Sequence, residues 1–478
     1  MLALRFALAG SPSIQASLKK GVYFALVVFV TNWYLNGSML DNNYLKMLGE
    51  FVSFRSVSTD RSYIEEIEKT VFWLKQLFEA ADFKVEIFKG LETNPVVFAS
   101  INNNSKETIL VYGHYDVQPA LKEDGWDGEP FKVEEKNGRL VARGVVDNKG
   151  QILIHIFTVL KLIKEGKLKY NVKFLIEGNE ETSNPEIGEI IKKNKGKLIS
   201  DYILVSDGEV VSGKPTIEYS LRGGCNLTLK FKTANNNLHS GIYGGAVPNA
   251  AYELSKFLAK LFDKDNKVAI PGFYKGVDKI TSEQVKNNSV LFQGKKSLFS
   301  STGVKALLTE VGIDFHTQTG LRPTLQVTGI KTGYTGEGYA NIIPATAEAR
   351  INFRTVVSQK EEVALKAFKD FANKNVPKYV DYEISHSVPY GSVKIDISSQ
   401  KVKEVKKLLK DAFQEEVLVK PVGGGIPVVL DFKEILGVDT LLVSLGNDDC
   451  NMHGANENFN IELLEKGLKF SEAFFRKA

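Results

Sequence analysis

The pattern of apolar positions divides the chain into short continuous runs and longer amphipathic stretches. The run from Ile109 to Tyr112 is apolar throughout, ends at Gly113 and is stopped by Pro119, which predicts a buried strand of a parallel sheet. After Asp60, apolar residues recur at three- and four-residue steps, which predicts an amphipathic helix. Its inner face carries Ile64, Ile67, Val71, Leu74 and Phe78.

Strands and helices of this kind alternate over most of the chain. Such alternation is typical of an α/β sandwich with a largely parallel sheet. Further strands are predicted at 85–87, 96–101, 172–176, 202–205 and 440–444. Helices are predicted at 41–54, from about 150 to 164, at 402–413 and 429–436, and from 461 onward.

The order of elements changes near Pro215. From there the pattern predicts strand, helix, strand, strand, helix, strand, which describes a ferredoxin-like α+β domain with helices on one face. Its strands are predicted at 226–232, 324–329, 347–354 and 380–385, and its helices at 250–262 and 361–373. Residues 264–321 show no clear pattern. We therefore expect one α/β domain formed by 39–214 and 390–478, with a second domain, 215–389, inserted into it.

Residues 1–38 pose a separate question. Lys19 and Lys20 precede an apolar run at 22–30, which is shorter than the roughly 20 residues of a membrane span. The run resembles a signal-peptide core, but the leader before it is long and no small-x-small cleavage site follows. Translation from Met39 is a third interpretation. We expect a cytoplasmic enzyme with a dispensable or spurious leader, with a secreted or anchored form as the alternative.

Composition restricts the chemistry further. Lys plus Arg number 61 against 57 Asp plus Glu, a net charge of +4 over 478 residues, which is too even to favour nucleic acid or an acidic membrane. Cys225 and Cys450 are the only cysteines. A disulfide framework and a cysteine zinc site are therefore excluded, and any metal ligands must be His, Asp or Glu.

Acidic and His residues follow the predicted strands of the α/β part repeatedly. Any one of them alone would be interpreted as solvated surface. Together they would repel one another without a cation, and His, Asp and Glu ligands suit zinc, cobalt or manganese. The number of candidates suits two ions that share a bridging carboxylate. The candidates are His114, Asp116, Asp147, Glu180, Glu181, Asp207 and His453.

The order of eight motifs resembles the carnosinase-like dipeptidases of the cytosolic non-specific type, within the dinuclear zinc aminoacylases and carboxypeptidases. The motifs are GHYDVQP, DGW-x-x-x-PF, ARGVVDNKG, EGNEET, SDGE, LHSGIYGG, GGGIP and MHGANE. The similarity extends from about Leu40 to the C-terminus. It implies a phosphorylase/hydrolase-like α/β catalytic domain with an inserted lid and dimerisation domain.

The resemblance also implies roles for individual residues. One metal ion would be held by His114, Asp147 and Asp207, and the other by Asp147, Glu181 and His453, with Asp147 bridging. Zinc is the expected metal, with manganese or cobalt as alternatives. Glu180 would be the general base and Asp116 would orient His114. A cis peptide bond is expected between Asp147 and Asn148.

Substrate contacts are implied on the inserted domain and on the Gly-rich turn. His239 matches a residue that crosses a dimer interface to stabilise the oxyanion, and Arg354 matches the Arg that binds a substrate carboxylate. Asn341 is a further substrate-contact candidate. Gly424 and Gly425 could bind that carboxylate through backbone N–H groups. Gly425 departs from the family pattern, which usually has Ser or Thr there.

The sequence thus predicts metal-dependent hydrolysis of dipeptides or small peptides, with water activated by the metal pair and Glu180 as general base. We expect a homodimer through the inserted domain, and neither a nucleic-acid nor a membrane partner. An N-acyl-amino-acid deacylase on the same fold is the alternative. A non-catalytic binding protein is a remote one, because it predicts lost ligands, and every expected ligand is present.

Overall fold

The computed structural model describes residues 40–292, 298–299 and 302–477, so the prediction for residues 1–38 lies outside the described residues. The helices of this part are Asn42–Ser53, Ile64–Glu79, Lys149–Lys164, Ile187–Lys193, Lys195–Leu198, Ser240–Tyr243, Ala250–Ala259, Ser282–Leu291, Phe315–Leu321, Glu361–Asn375, Gln400–Phe413, Pro427–Asp431 and Ile461–Phe475. A π-helical turn, Phe432–Leu436, extends the helix before it. No described helix combines the length and the apolar character that crossing a membrane requires.

The strands, in chain order, are β1 (Lys84–Phe88), β2 (Val96–Ile101), β3 (Thr108–His114), β4 (Glu134–Lys136), β5 (Arg139–Val141), β6 (Asn171–Glu177), β7 (Tyr202–Val205), β8 (Thr216–Leu221), β9 (Gly223–Lys232), β10 (Leu238–His239), β11 (Thr324–Thr332), β12 (Ile342–Ile343), β13 (Thr346–Thr355), β14 (Asp381–His386), β15 (Val393–Lys394), β16 (Leu418–Pro421), β17 (Thr440–Ser444) and β18 (Asn458–Asn460). The predicted strands all lie in this set, which confirms them.

The largest sheet has nine strands in the order β1-β2-β6-β3-β7-β17-β8-β15, with β16 paired to β8. Its centre, β6-β3-β7-β17, is parallel. The flanking pairs are antiparallel, apart from β16 with β8. The prediction of a largely parallel sheet is therefore right for the centre and wrong for the edges. Short connections, such as the one from β1 to β2, allow only antiparallel pairing.

A separate antiparallel sheet, β11-β13-β9-β14, belongs to the inserted segment. Its apolar side chains pack with those of the helices Ala250–Ala259 and Glu361–Asn375 in one core. β8 pairs in the nine-stranded sheet, and the four-stranded sheet begins at Gly223. The chain thus has a mixed α/β fold with an inserted α+β domain.

The central helix Lys149–Lys164 is buried along most of its length, between β3 and the last helix, Ile461–Phe475. Because it is covered on several sides, its sequence is apolar all round instead of amphipathic. Its first turn directly follows Asp147, which places that carboxylate beside the end of β3. The unpatterned region 264–321 contributes the helix Phe315–Leu321, which packs on β16 with Gly320 against Pro421.

Candidate active site

The four central parallel strands all end beside candidate ligands. β3 ends at His114, β6 ends shortly before Glu180, β7 ends just before Asp207, and β17 leads into the loop that carries His453. Parallel strands share one carboxyl edge, where open α/β sheets place their binding sites. The topology therefore brings segments that are far apart in sequence to one edge of the sheet.

Two groups of candidate donors meet there. The first is His114, Asp147 and Asp207, the second is Asp147, Glu181 and His453, and within each group the ligand atoms lie within 4.8 Å of one another. Asp147 belongs to both groups. Its Oδ1 lies 3.1 Å from His114 Nε2, and its Oδ2 lies 2.9 Å from His453 Nε2. One carboxylate oxygen thus faces each group, which is the arrangement a bridging ligand needs.

The other donor atoms of each group are separated by similar distances. His114 Nε2 lies 3.7 Å from Asp207 Oδ1, and His453 Nε2 lies 3.2 Å from Glu181 Oε2. His114 and Asp147 are buried, whereas the His453 side chain is 52% exposed. The second group therefore opens toward solvent, and the first does not.

The electrostatics of the site favour a cation. Burial acts to lower the pKa of His114, but the charge of Asp207 and hydrogen bonds to neighbouring carboxyl groups raise it well above its ordinary value. Hydrogen bonds to Asp147 and Glu181 raise the pKa of His453 to about 10. Both imidazoles thus experience a strongly negative potential. His, Asp and Glu donors at this potential fit divalent ions such as zinc, manganese or cobalt.

Asp116 acts on two neighbours at once. His114 Nδ1 lies 3.0 Å from the Asp116 carbonyl oxygen and 3.4 Å from its Oδ1, so the nearer partner of the ring is the main chain. The Asp116 carboxylate accepts from the backbone N–H groups of Glu180 and Glu181, each at 3.2 Å. Asp116 therefore contacts His114 and also fixes the turn that carries both glutamates, a second contact that the sequence did not indicate.

Glu180 lies in this turn, half-buried, and its carboxylate makes no hydrogen bond to any described residue. Burial raises its pKa well above the ordinary value. The charge of His114 opposes that rise, and those of Asp207 and Asp147 add to it. Glu181, by contrast, accepts a hydrogen bond from Gln118 Nε2 at 2.7 Å. Of the adjacent pair, Glu180 is the carboxylate that is free to exchange a proton.

Asn148 follows Asp147 across a cis peptide bond, as predicted. Its Nδ2 donates to Asp207 Oδ1 and to the Ser206 carbonyl, both at 2.7 Å, and its Oδ1 accepts from the His114 N–H at 3.3 Å. Asn148 thus joins the ends of β3 and β7, and it holds one oxygen of Asp207. Sequence reasoning assigned no role to this side chain.

A buried ion pair supports the loop of Asp147. The Glu457 carboxylate accepts from Arg143 at 2.7 Å and from the N–H groups of Gly144, Val146 and Asp147 at 3.0–3.1 Å. Arg143 also donates to the carbonyls of Pro119 and Gly454. The pair therefore ties together the loops that carry His114, Asp147 and His453. Sequence reasoning missed it, although both residues lie within the motifs ARGVVDNKG and MHGANE.

His239 and Asn341 lie together on the inserted domain, away from these donors. The strands β10 and β12 pair, and Asn341 O accepts from the Ser240 N–H at 2.9 Å. His239 is exposed, and its Nδ1 accepts from the Gly241 N–H at 3.1 Å. Among the described residues of this one chain, no hydrogen bond or ion pair joins either residue to the metal-ligand candidates.

Arg354 and the Gly-rich turn form a third cluster around Tyr390. Arg354 donates to the Tyr390 hydroxyl, and a Cβ atom at Gly425 would lie 3.2 Å from the Tyr390 ring. The carbonyl of Gly424 accepts from the Arg222 N–H at 3.0 Å. The structure therefore brings the predicted carboxylate contacts Arg354, Gly424 and Gly425 together, and it adds Tyr390 and Arg222.

Comparison with known proteins gives a consistent result. The model of peptidase family M20/M25/M40 matches residues 110–477. The Cys-Gly metallodipeptidase DUG1 of Saccharomyces cerevisiae is 28% identical over 91% of this chain and 95% of its own. The human Beta-Ala-His dipeptidase is 29% identical over 81% and 78%. The crystal structure of the M20 family metallo-carboxypeptidase Sso-CP2 from Sulfolobus solfataricus has a TM-score of 0.81 and 30% identity, and it covers 91% of this chain and 98% of that one.

Proposed function

The chain belongs to peptidase family M20/M25/M40 and is a metal-dependent dipeptidase, and we propose how its residues divide the reaction. The observation that carries the proposal is the pair of donor groups that share Asp147. His114, Asp147 and Asp207 would hold one divalent ion, and Asp147, Glu181 and His453 the other, with zinc as the expected metal. Two such ions supply Lewis acidity, which polarises a peptide carbonyl and makes water acidic near neutral pH.

Glu180 is proposed as the general base and acid. Its carboxylate has no competing hydrogen bond among the described residues, and Asp116 fixes its backbone. A raised pKa suits a group that accepts a proton from water and then delivers it to the leaving amine. Asp116 would also orient His114, through its carbonyl and its carboxylate.

His239 is proposed to act on the site of a second copy. Because its Nδ1 accepts a backbone N–H, the neutral ring carries its proton on Nε2, which can donate to a developing oxyanion. Ile242 and Tyr243, which follow it, expose 71% and 43% of their surface, and exposed apolar side chains of this kind favour an interface. We infer a homodimer through the inserted domain, residues 215–389, which would also act as a lid.

Arg354 is proposed to bind the free carboxylate of the substrate, with Asn341 and the backbone of Gly424 and Gly425 as further contacts. A planar guanidinium can bind a carboxylate through two parallel hydrogen bonds. Such a requirement agrees with the names of the relatives, since two are dipeptidases and one is a carboxypeptidase. We therefore propose dipeptides with a free carboxyl terminus as substrates. A cytosolic location is part of this proposal.

The experiment compares wild type with Glu180→Gln on a panel of dipeptides and N-acetyl-amino acids, after reconstitution with zinc. We expect dipeptide cleavage by wild type, and a kcat lower by about 10²–10⁴-fold in the variant at unchanged metal content. Glu189→Gln, at a side chain that is 80% exposed, is the matched control and should behave as wild type. Cleavage confined to N-acetyl-amino acids would instead identify a deacylase. Inactivity of the wild type with zinc, cobalt and manganese would favour the non-catalytic binding protein.

A further inference from the structure

Tyr390 lies beside Arg354, and its ring and hydroxyl pack against two glycines. A Cβ atom at Gly224 would lie 3.0 Å from the Tyr390 hydroxyl, and one at Gly425 would lie 3.2 Å from the ring. Both distances are shorter than an ordinary van der Waals contact of about 3.5–4.0 Å. The nearest neighbours of these Cβ atoms would be backbone carbonyls, Phe353 O at 2.5 Å for Gly224 and Arg222 O at 2.6 Å for Gly425. Backbone crowding therefore excludes a side chain at both positions, and Tyr390 is the polar side chain that lies against them.

The hydrogen bonds around Tyr390 leave one donor unused. Arg354 can only donate, so the Tyr390 oxygen accepts from it and the phenol proton stays available. Among the described residues no acceptor for that proton is found. Tyr390 and Arg354 are both half-buried, so a ligand can reach them.

The charges of the cluster favour an anion as that ligand. Neither Arg222 nor Arg354 forms an ion pair with any described carboxylate. Arg222 is 9% exposed and directs its guanidinium to uncharged acceptors, among them the carbonyls of Gly423 and Arg322. Burial and the charge of Arg354 lower the pKa of Arg222 to about 10. Two guanidinium groups near one another, with an unused phenol proton beside them, form a site for a carboxylate.

We propose that Tyr390 is a specificity-determining residue, whose hydroxyl donates to the free carboxylate of the substrate beside Arg354. It supplies the donor that Gly425 cannot. The inference rests on the proposed dipeptidase function and names a residue that determines which substrates are accepted. It predicts that recognition of the free carboxylate depends on a phenol hydroxyl. An otherwise identical substrate with a carboxamide terminus gains less from Tyr390, because its carbonyl is a neutral acceptor.

The test is Tyr390→Phe, which removes the hydroxyl and keeps the ring. Substrates are a dipeptide and the same dipeptide with a C-terminal amide. Because one hydrogen bond to a charged group is lost, KM for the free acid should rise roughly tenfold, with kcat much less affected. KM for the amide, whose carbonyl is a neutral acceptor, should rise by a clearly smaller factor. Tyr379→Phe, at a tyrosine that is 59% exposed, is the matched control, and thermal unfolding verifies that each variant is folded.

Equal KM values of Tyr390→Phe and wild type for the free acid would overturn the inference, as would an equal rise in KM for acid and amide. A binding measurement separates this result from failure of the proposed function. Calorimetry with the Glu180→Gln variant, with and without Tyr390→Phe, compares the affinities for acid and amide without turnover. Loss of the preference for the acid in the double variant supports the role of Tyr390 even if the wild type cleaves neither peptide. A retained preference contradicts it.

Discussion

Replacement of Glu457 by Gln tests the buried support of the Asp147 loop. Glu457 is 0% exposed and Arg143 is 3% exposed. Oε2 accepts from Arg143 and the Gly144 N–H, and Oε1 accepts from the N–H groups of Val146 and Asp147. The amide of Gln would turn an NH₂ group toward one of these two pairs of donors. At the same time it would leave the guanidinium buried without its counter-ion.

The magnitude follows from these contacts. Loss of one partner from a buried ion pair costs about 3–5 kcal/mol, so the free energy of unfolding should fall by that order. Because the loop carries Asp147, affinity for zinc should also fall, by about 10–100-fold as is typical when a partner of a metal ligand is removed. The first quantity is measured by urea denaturation of the metal-free protein, and the second by calorimetric titration with zinc.

Glu462→Gln is the control for Glu457→Gln. Glu462 is 73% exposed, and its one ion pair among the described residues is with Lys466 in the next turn of the last helix, an interaction of about 0.3–0.5 kcal/mol. Zinc affinity should be unchanged in this variant. If Glu457→Gln unfolds and binds zinc as wild type does, the ion pair does not support the site and the reasoning is wrong.

Two further predictions concern the metal-free protein. The folded-state pKa of His453, about 10, is above the ordinary value of 6.5, so its contribution to stability is present below pH 6.5 and is lost as pH rises toward 10. The melting temperature of wild type should fall over that pH range, and it should fall less in His453→Asn. An equal fall in both proteins would contradict the role of His453 in this pH dependence. Lys149 donates from its buried Nζ to the carbonyls of Phe51 and Phe54 at the end of the first helix. Lys149→Met should lower the free energy of unfolding by about 1–3 kcal/mol in urea denaturation, and an unchanged value would refute the role of these bonds.

The central strands were predictable because burial on both faces leaves continuous apolar runs. β8 was not predicted, because this buried strand is not a continuous apolar run. It is buried, yet it contains Glu218 and Ser220, and Glu218 is accommodated by Ser444 at 2.9 Å and by Lys420 at 3.4 Å. A polar residue whose partners come from distant segments conceals a buried strand, so the sequence pattern did not predict β8.

Contacts between distant segments also limited what could be predicted of the candidate site. Most ligand candidates were visible because they follow a strand, and Asp147 was visible because it precedes a helix. Both kinds of position can be located from local patterns. Their supports were not visible, since Glu457 meets Arg143, and Tyr390 meets Arg354, only after the chain has folded. Gly425 did give a signal, as a departure from the family motif. Its structural reason, the close approach of the Arg222 carbonyl and the Tyr390 ring, required the contacts between segments.

The measurement that tests the account most directly is the zinc content of the purified chain after reconstitution, for wild type and Asp147→Asn. Asp127→Asn, at an exposed carboxylate, is the control. We expect two zinc ions per chain in wild type and in the control. Binding of both ions should be weakened together in Asp147→Asn, because one carboxylate faces both groups of donors. A wild type that binds a single ion, or an Asp147→Asn protein that keeps two, would contradict a bridged metal pair.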